Sequence, residues 1–179
     1  MVRIPPGGVG SAHAVDRRRR MLAWKAYQTQ LPTVAEIASW ADQCPTSNIA
    51  VITGAASRNC IALDIDVGDE RLSWAIEKLA VEILGETPLR RVGRPPRLLM
   101  VYRCDAPLRK MSVRLESGDG VELLANGAPF TAYGKHWAIG KYFNWLKYDL
   151  IARGPEHAPL VTAEQIETFW RRLTAEYGA

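Results

Sequence analysis

Asp64 and Asp66 stand two residues apart inside IALDIDV (residues 61–67), an otherwise apolar run. In a strand, alternate side chains share a face, so Ile61, Leu63, Ile65 and Val67 would point one way and both carboxylates the other. Two such carboxylates repel each other unless a cation lies between them or water screens them, and Asp is a poor strand former. Two readings follow. The pair supplies oxygen ligands to a hard divalent cation such as Mg2+, or it is the wetted polar face of a strand end. Glu122 repeats the pattern as a single acid in GVELL (residues 120–124). Three carboxylates from two strands can hold a pair of metal ions for in-line attack at phosphorus; an edge strand with one exposed Glu is the plain alternative.

Between these acids lies the densest positive region. Residues 88–110 carry Arg90, Arg91, Arg94, Arg97, Arg103, Arg109 and Lys110 against one acid, Asp105. Arginines beside a carboxylate centre suit bidentate binding of phosphate groups. Arg97 opens an apolar strand and is the candidate for a fixed role facing the site. Arg90, Arg91, Arg109 and Lys110 read as a solvated basic loop or as contacts to a phosphate backbone. His136 lies in a Gly-bounded loop, residues 134–140, where ligand contacts concentrate, whereas His13 and His157 carry no such signal. Trp137, Tyr142 and Trp145 are the candidates for stacking on bases; Trp24, Trp40, Trp74 and Trp170 fall in helix-like stretches and read as core.

The elements that must position these groups are well marked. Thr33 and Glu36 form a capping box for a helix over residues 33–43. Asp69 can cap a helix running to Leu84, with Leu72, Ile76, Leu79, Ala80 and Ile83 on one face and Gly85 as its stop. A last helix spans residues 162–177, with Ile166, Phe169, Trp170, Leu173 and Tyr177 on one face. Strands are expected at residues 48–53, 61–67, 97–103, 120–124 and 130–133. Strands and helices intermix, and the spacings after residue 97 are hairpin-like. The expected fold is α+β, with a mixed, largely antiparallel sheet and flanking helices.

The chain's 179 residues suit one domain, expected over residues 17–179 after a flexible Pro- and Gly-rich lead-in over residues 1–16. A 47% hydrophobic, 23% charged composition excludes wholesale disorder. The net charge of +4 comes from one run, Arg17, Arg18, Arg19 and Arg20, without which bases and acids balance. Cys44, Cys60 and Cys104 stand far apart, which argues against a disulfide scaffold and a zinc site and fits a reducing compartment. With no apolar stretch near membrane-spanning length, a cytoplasmic protein without membrane contact is expected.

Taken in order, NIAVITG, LDIDV, GRPPRLLMVYR, VELLANGAPFTAYGKH and GKYFNW (between residues 48 and 145) resemble the bifunctional DNA primase/polymerase (prim-pol) domains of the archaeo-eukaryotic primase superfamily, of the phage, plasmid and mobile-element type. The resemblance implies an RRM-like palm and a primase/DNA polymerase that transfers nucleotides from nucleoside triphosphates on a single-stranded DNA template, with Mg2+ or Mn2+ as cofactor. Asp64 and Asp66 match the family's first metal-binding motif and Glu122 its third, which makes these three the expected catalytic and metal-binding residues. The second motif usually contains a His that contacts the nucleotide; here the place reads GRPPRL, so Arg97 and Arg94 are its expected stand-ins, with His136 as a further phosphate contact. The family's frequent zinc element and fused helicase have no counterpart, so the chain reads as a stand-alone domain or a fragment, with a separate replicative helicase as a candidate partner. Two rivals remain: a catalytically weak nucleic-acid-binding replication-initiation module of the same fold, and a metal-dependent nuclease. The nuclease reading is weakened by Leu124, which stands where such sites often carry Lys.

Overall fold

The computed structural model describes the backbone of residues 2–4 and residues 24–179, with side chains from residue 25 onward. His13 and the run at residues 17–20 lie outside the described residues, as does the side chain of Trp24. Nine strands and four α-helices are described. In chain order these are β1 (Val2–Ile4), α1 (Val34–Gln43), β2 (Asn48–Ile52), β3 (Cys60–Asp66), α2 (Glu70–Leu84), β4 (Arg90–Val92), β5 (Leu98–Arg103), β6 (Met111–Arg114), β7 (Gly120–Leu124), β8 (Pro129–Tyr133), β9 (Asn144–Trp145), α3 (Leu150–Arg153) and α4 (Ala163–Tyr177). Strand β1 falls within the stretch read as a lead-in.

The strands form two sheets, ordered β6-β7-β3-β5-β4-β9 and β1-β2-β8, and every strand pair in both is antiparallel. The fold is therefore α+β, as the intermixed elements imply. Period-2 alternation in β3 divides the core. Ile61, Leu63, Ile65 and Val67 pack with Met100 and Tyr102 of β5, Val121 and Leu123 of β7, Ile76 and Leu79 of α2, and Ile166, Phe169 and Leu173 of α4. The opposite face presents Cys60 and Ala62, which pack with Leu99 and Val101 and are covered by Val51, Phe130 and Ala132 of the smaller sheet. Asp64 and Asp66 continue that second face beyond its apolar part.

The helix boundaries follow from their caps. Thr33 and Glu36 form the expected capping box, Thr162 and Gln165 form another, and the Asp69 carboxylate accepts from the Leu72 N–H at 2.8 Å. Gly85 ends α2 at φ 84°. In α1 only Trp40 is buried; Val34 and Ile37 of its apolar stripe are exposed. Trp74 is likewise not core: it sits on the outer side of α2, 59% exposed, with Lys78 Nζ 4.3 Å above its ring. The chain's end returns to the large sheet, where the Glu116 N–H donates to the Tyr177 carbonyl and the Ala179 N–H to that of Arg114. Among the described residues no helix is long and apolar enough to cross a membrane.

Replacing Asp69 by Ala removes the α2 cap. It is expected to cost about 1 kcal/mol, read as a lower urea midpoint at unchanged slope; an unchanged midpoint would show that the cap is dispensable.

Candidate active site

The register of the large sheet sets one row of side chains across its open face: Ser112 opposite Glu122, Glu122 opposite Asp64, Asp64 opposite Leu99, Leu99 opposite Arg91, and Arg91 opposite Trp145. Asp66, two residues beyond Asp64, lies opposite Gly120. The three expected acids thus share one face of two adjacent strands. They line a cavity of about 360 Å³ whose other walls include Arg91, Gly93, Arg94, Arg97, Lys110, Thr131, His136, Trp137 and Phe143. All six residues read from the sequence, Asp64, Asp66, Glu122, Arg94, Arg97 and His136, meet there.

The acids have different surroundings. Burial pushes the Asp64 carboxyl up to about 6; the nearby Arg91 charge opposes that shift, while Asp66 and Glu122 add to it. Asp66 is exposed and ion-pairs with Arg97 Nε; Arg97 Nη2 lies 4.0 Å from Asp119 Oδ1. Asp119 also accepts from the Gly68 N–H at 3.0 Å. Glu122 Oε1 is 3.0 Å from Lys110 Nζ. Among the described residues, no three His, Cys, Asp or Glu side chains converge as metal ligands. The carboxylate donor set nevertheless fits a hard cation: three oxygen-bearing groups occupy neighbouring positions on one face, with Asp66 and Glu122 neutralised here by side-chain cations.

The basic pole is built from β4 and a hairpin. In the loop over residues 134–143 the His136 N–H donates to the Lys141 carbonyl, the Gly140 N–H to that of His136 and the Phe143 N–H to that of Gly134. The Ala138 N–H donates to His136 Nδ1 at 3.2 Å, which places the imidazole proton on Nε2. Burial, and then Arg91, Arg94 and Arg97, lower the His136 pKa against the pull of Asp66, so the ring is a neutral donor at neutral pH. Its ring stacks on Trp137 and tilts against Phe143. Gly93 makes room for this arrangement, since a Cβ there would come within 2.4 Å of the Phe143 ring and 3.0 Å of His136.

Two expectations for the basic stretch are corrected. Arg91 is no solvated loop residue: it is buried in the cavity wall, with its guanidinium 4.3 Å from the Phe143 centroid. Lys110 is exposed in its loop, as expected, and also pairs with Glu122 at the cavity. Strand β4 has only three residues, too short to show alternation, and Lys110 immediately precedes β6, so neither carried a signal. Arg90 is the second correction: it lies on β4, points the other way and is held by Glu77, Glu86 and the Thr87 carbonyl instead of being solvated. Among the aromatic candidates, Trp137 and Tyr142 are exposed. Trp145 is not free to stack on a base: it leans on Tyr133, and its Nε1 donates to the Ala132 carbonyl at 3.1 Å. Asp119, absent from the sequence reading, sits in the turn between β6 and β7 and supports Arg97.

An antiparallel α+β domain with acids and bases opposed across one sheet-face cavity is the class that the fold and site define. The family model described as "Bifunctional DNA primase/polymerase, N-terminal" matches residues 2–161, and the chain belongs to that family. At family level its function is of the DNA primase/polymerase type. No curated protein matches the chain.

Two outcomes test the geometry. The folded-state pKa of Asp64 lies above its ordinary 3.8, so the protonated form favours folding; the cost of the charge is absent below about pH 4 and complete above about pH 6. In chelator, Asp64→Asn should therefore be more stable than wild type at pH 8 by roughly 1–3 kcal/mol, with the gain vanishing near pH 4; a loss at pH 8 contradicts this. Gly93→Ala should displace Phe143 and His136 at a cost of about 1–3 kcal/mol, read by calorimetry, and should weaken nucleotide binding. Unaltered binding would show that the hairpin's position does not matter.

Proposed function

We propose that the cavity carries out template-directed nucleotidyl transfer, adding nucleotides from nucleoside triphosphates to a strand on single-stranded DNA, as in primer synthesis or extension during phage or mobile-element replication. The observation that supports this most is the meeting of three carboxylates with Arg94, Arg97, Lys110 and His136 around one cavity. Asp64, Asp66 and Glu122 would hold Mg2+ or Mn2+, which when bound supplies Lewis acidity for an attacking hydroxyl and charge neutralisation for departing pyrophosphate. Arg94 and Arg97 bind phosphate oxygens through their guanidinium forks. Lys110 adds a compact charge, and His136 donates from Nε2 without adding positive charge. Such preorganised donors stabilise charge as it develops, so no covalent nucleophile is required.

A nucleic-acid-binding module of the same fold is the second reading. One observation favours it: Asp66 and Glu122 are already neutralised by Arg97 and Lys110.

Labelled nucleotides, primed and unprimed single-stranded template and Mn2+ separate the two. Wild type should incorporate nucleotide, and Asp64→Ala or Glu122→Ala should reduce incorporation by about 10²-fold or more while retaining single-stranded DNA binding. No incorporation by wild type, with DNA binding intact in all three proteins, would establish the binding module instead.

A further inference from the structure

Arg91 is a buried cation with no ion pair among the described residues; the Asp64 carboxylate attracts it without meeting it. The residue is 7% exposed, and its Nε is buried with no hydrogen-bond partner. Its neighbour Arg90 faces the other side of β4 and has its donors filled by two glutamates and a carbonyl. Within the cavity, Arg97 is matched by Asp66 and Lys110 by Glu122. Arg91 has the Phe143 ring against it, which holds the guanidinium in place without supplying an anion. Asp64 is separated from it by Leu99, two inter-strand steps along the row, or about 10 Å between backbones.

Burying a guanidinium with an unpartnered Nε and no direct ion pair is costly, and the cost is offset if an anion completes the site. A rigid guanidinium fork whose flank faces an open cavity suits phosphate oxygens. Its place along the row specifies which ones. The reacting phosphorus belongs at the carboxylates, and Arg91 lies at the far, basic end of the same cavity, with Arg94 and His136 nearby.

We propose that Arg91 binds the terminal phosphates of the incoming nucleotide and thereby makes the site selective for triphosphates. The assignment rests on the nucleotidyl-transfer reading for the orientation of the nucleotide, but anion binding at Arg91 can be tested without catalysis. Met retains much of the side chain's length and its contact with Phe143 while removing the charge and donors. Lys keeps the charge and loses the fork.

The probe is inorganic tripolyphosphate, titrated in chelator without nucleic acid and compared with orthophosphate. Wild type should prefer tripolyphosphate. Arg91→Met should bind tripolyphosphate at least about tenfold more weakly, the scale of one charge-assisted hydrogen bond. Arg91→Lys should fall between the two. Tripolyphosphate affinity within roughly twofold of wild type in Arg91→Met overturns the proposal. Should Arg91→Met fail to fold, Arg91→Lys decides: affinity equal to wild type overturns the proposal. Arg91-dependent binding without nucleotide incorporation would leave the anion site standing and remove the transfer reading. Incorporation with an unchanged KM for nucleotide in Arg91→Met would do the reverse.

Discussion

Asp64 and Glu122 face each other directly across β3 and β7, and like charges in opposed positions destabilise a sheet. The architecture of the site answers that repulsion. Lys110 leans on Glu122, Arg97 closes on Asp66, and Arg91 lowers the cost of charging Asp64 from a distance. Each cation comes from a different segment, so the balance exists only when β4, β5, β6 and β7 are all in register with β3. The carboxylate pair is tolerable only because it faces a cavity instead of the closed core.

That placement depends on the division of labour between the two faces of the large sheet. The side packed on α2 and α4 is apolar and carries most of the large core residues. The other side is apolar only where the smaller sheet covers it. Beyond Phe130 the cover ends, and the row of acids and bases faces the open cavity. The closed core and the charged cavity are thus segregated by strand alternation, within the same five or six residues.

What could be read in the sequence follows from the same alternation. Asp64, Asp66 and Glu122 were legible because acids interrupt apolar runs long enough to show a period of two. The helix starts were legible because Thr33, Asp69 and Thr162 cap locally. Arg91 and Lys110 were not, since a three-residue strand has no visible period and a residue before a strand has no assigned face. Asp119 was hidden for a different reason: its role lies in contacts with Gly68 and Arg97, which are distant in sequence. Trp74 and the apolar stripe of α1 show the converse, where helical spacing suggested burial that tertiary packing does not provide.

The family match ends at residue 161, before α4 begins. Yet α4 contributes Ile166, Phe169 and Leu173 to the main core, and its Gln165 side chain donates to the Ile83 carbonyl at 2.9 Å. The stretch that similarity defines and the body that must melt as one are therefore different objects. The matched stretch holds the sheet with its acids and bases. Cooperativity extends further, to the helix that seals the back of the same sheet.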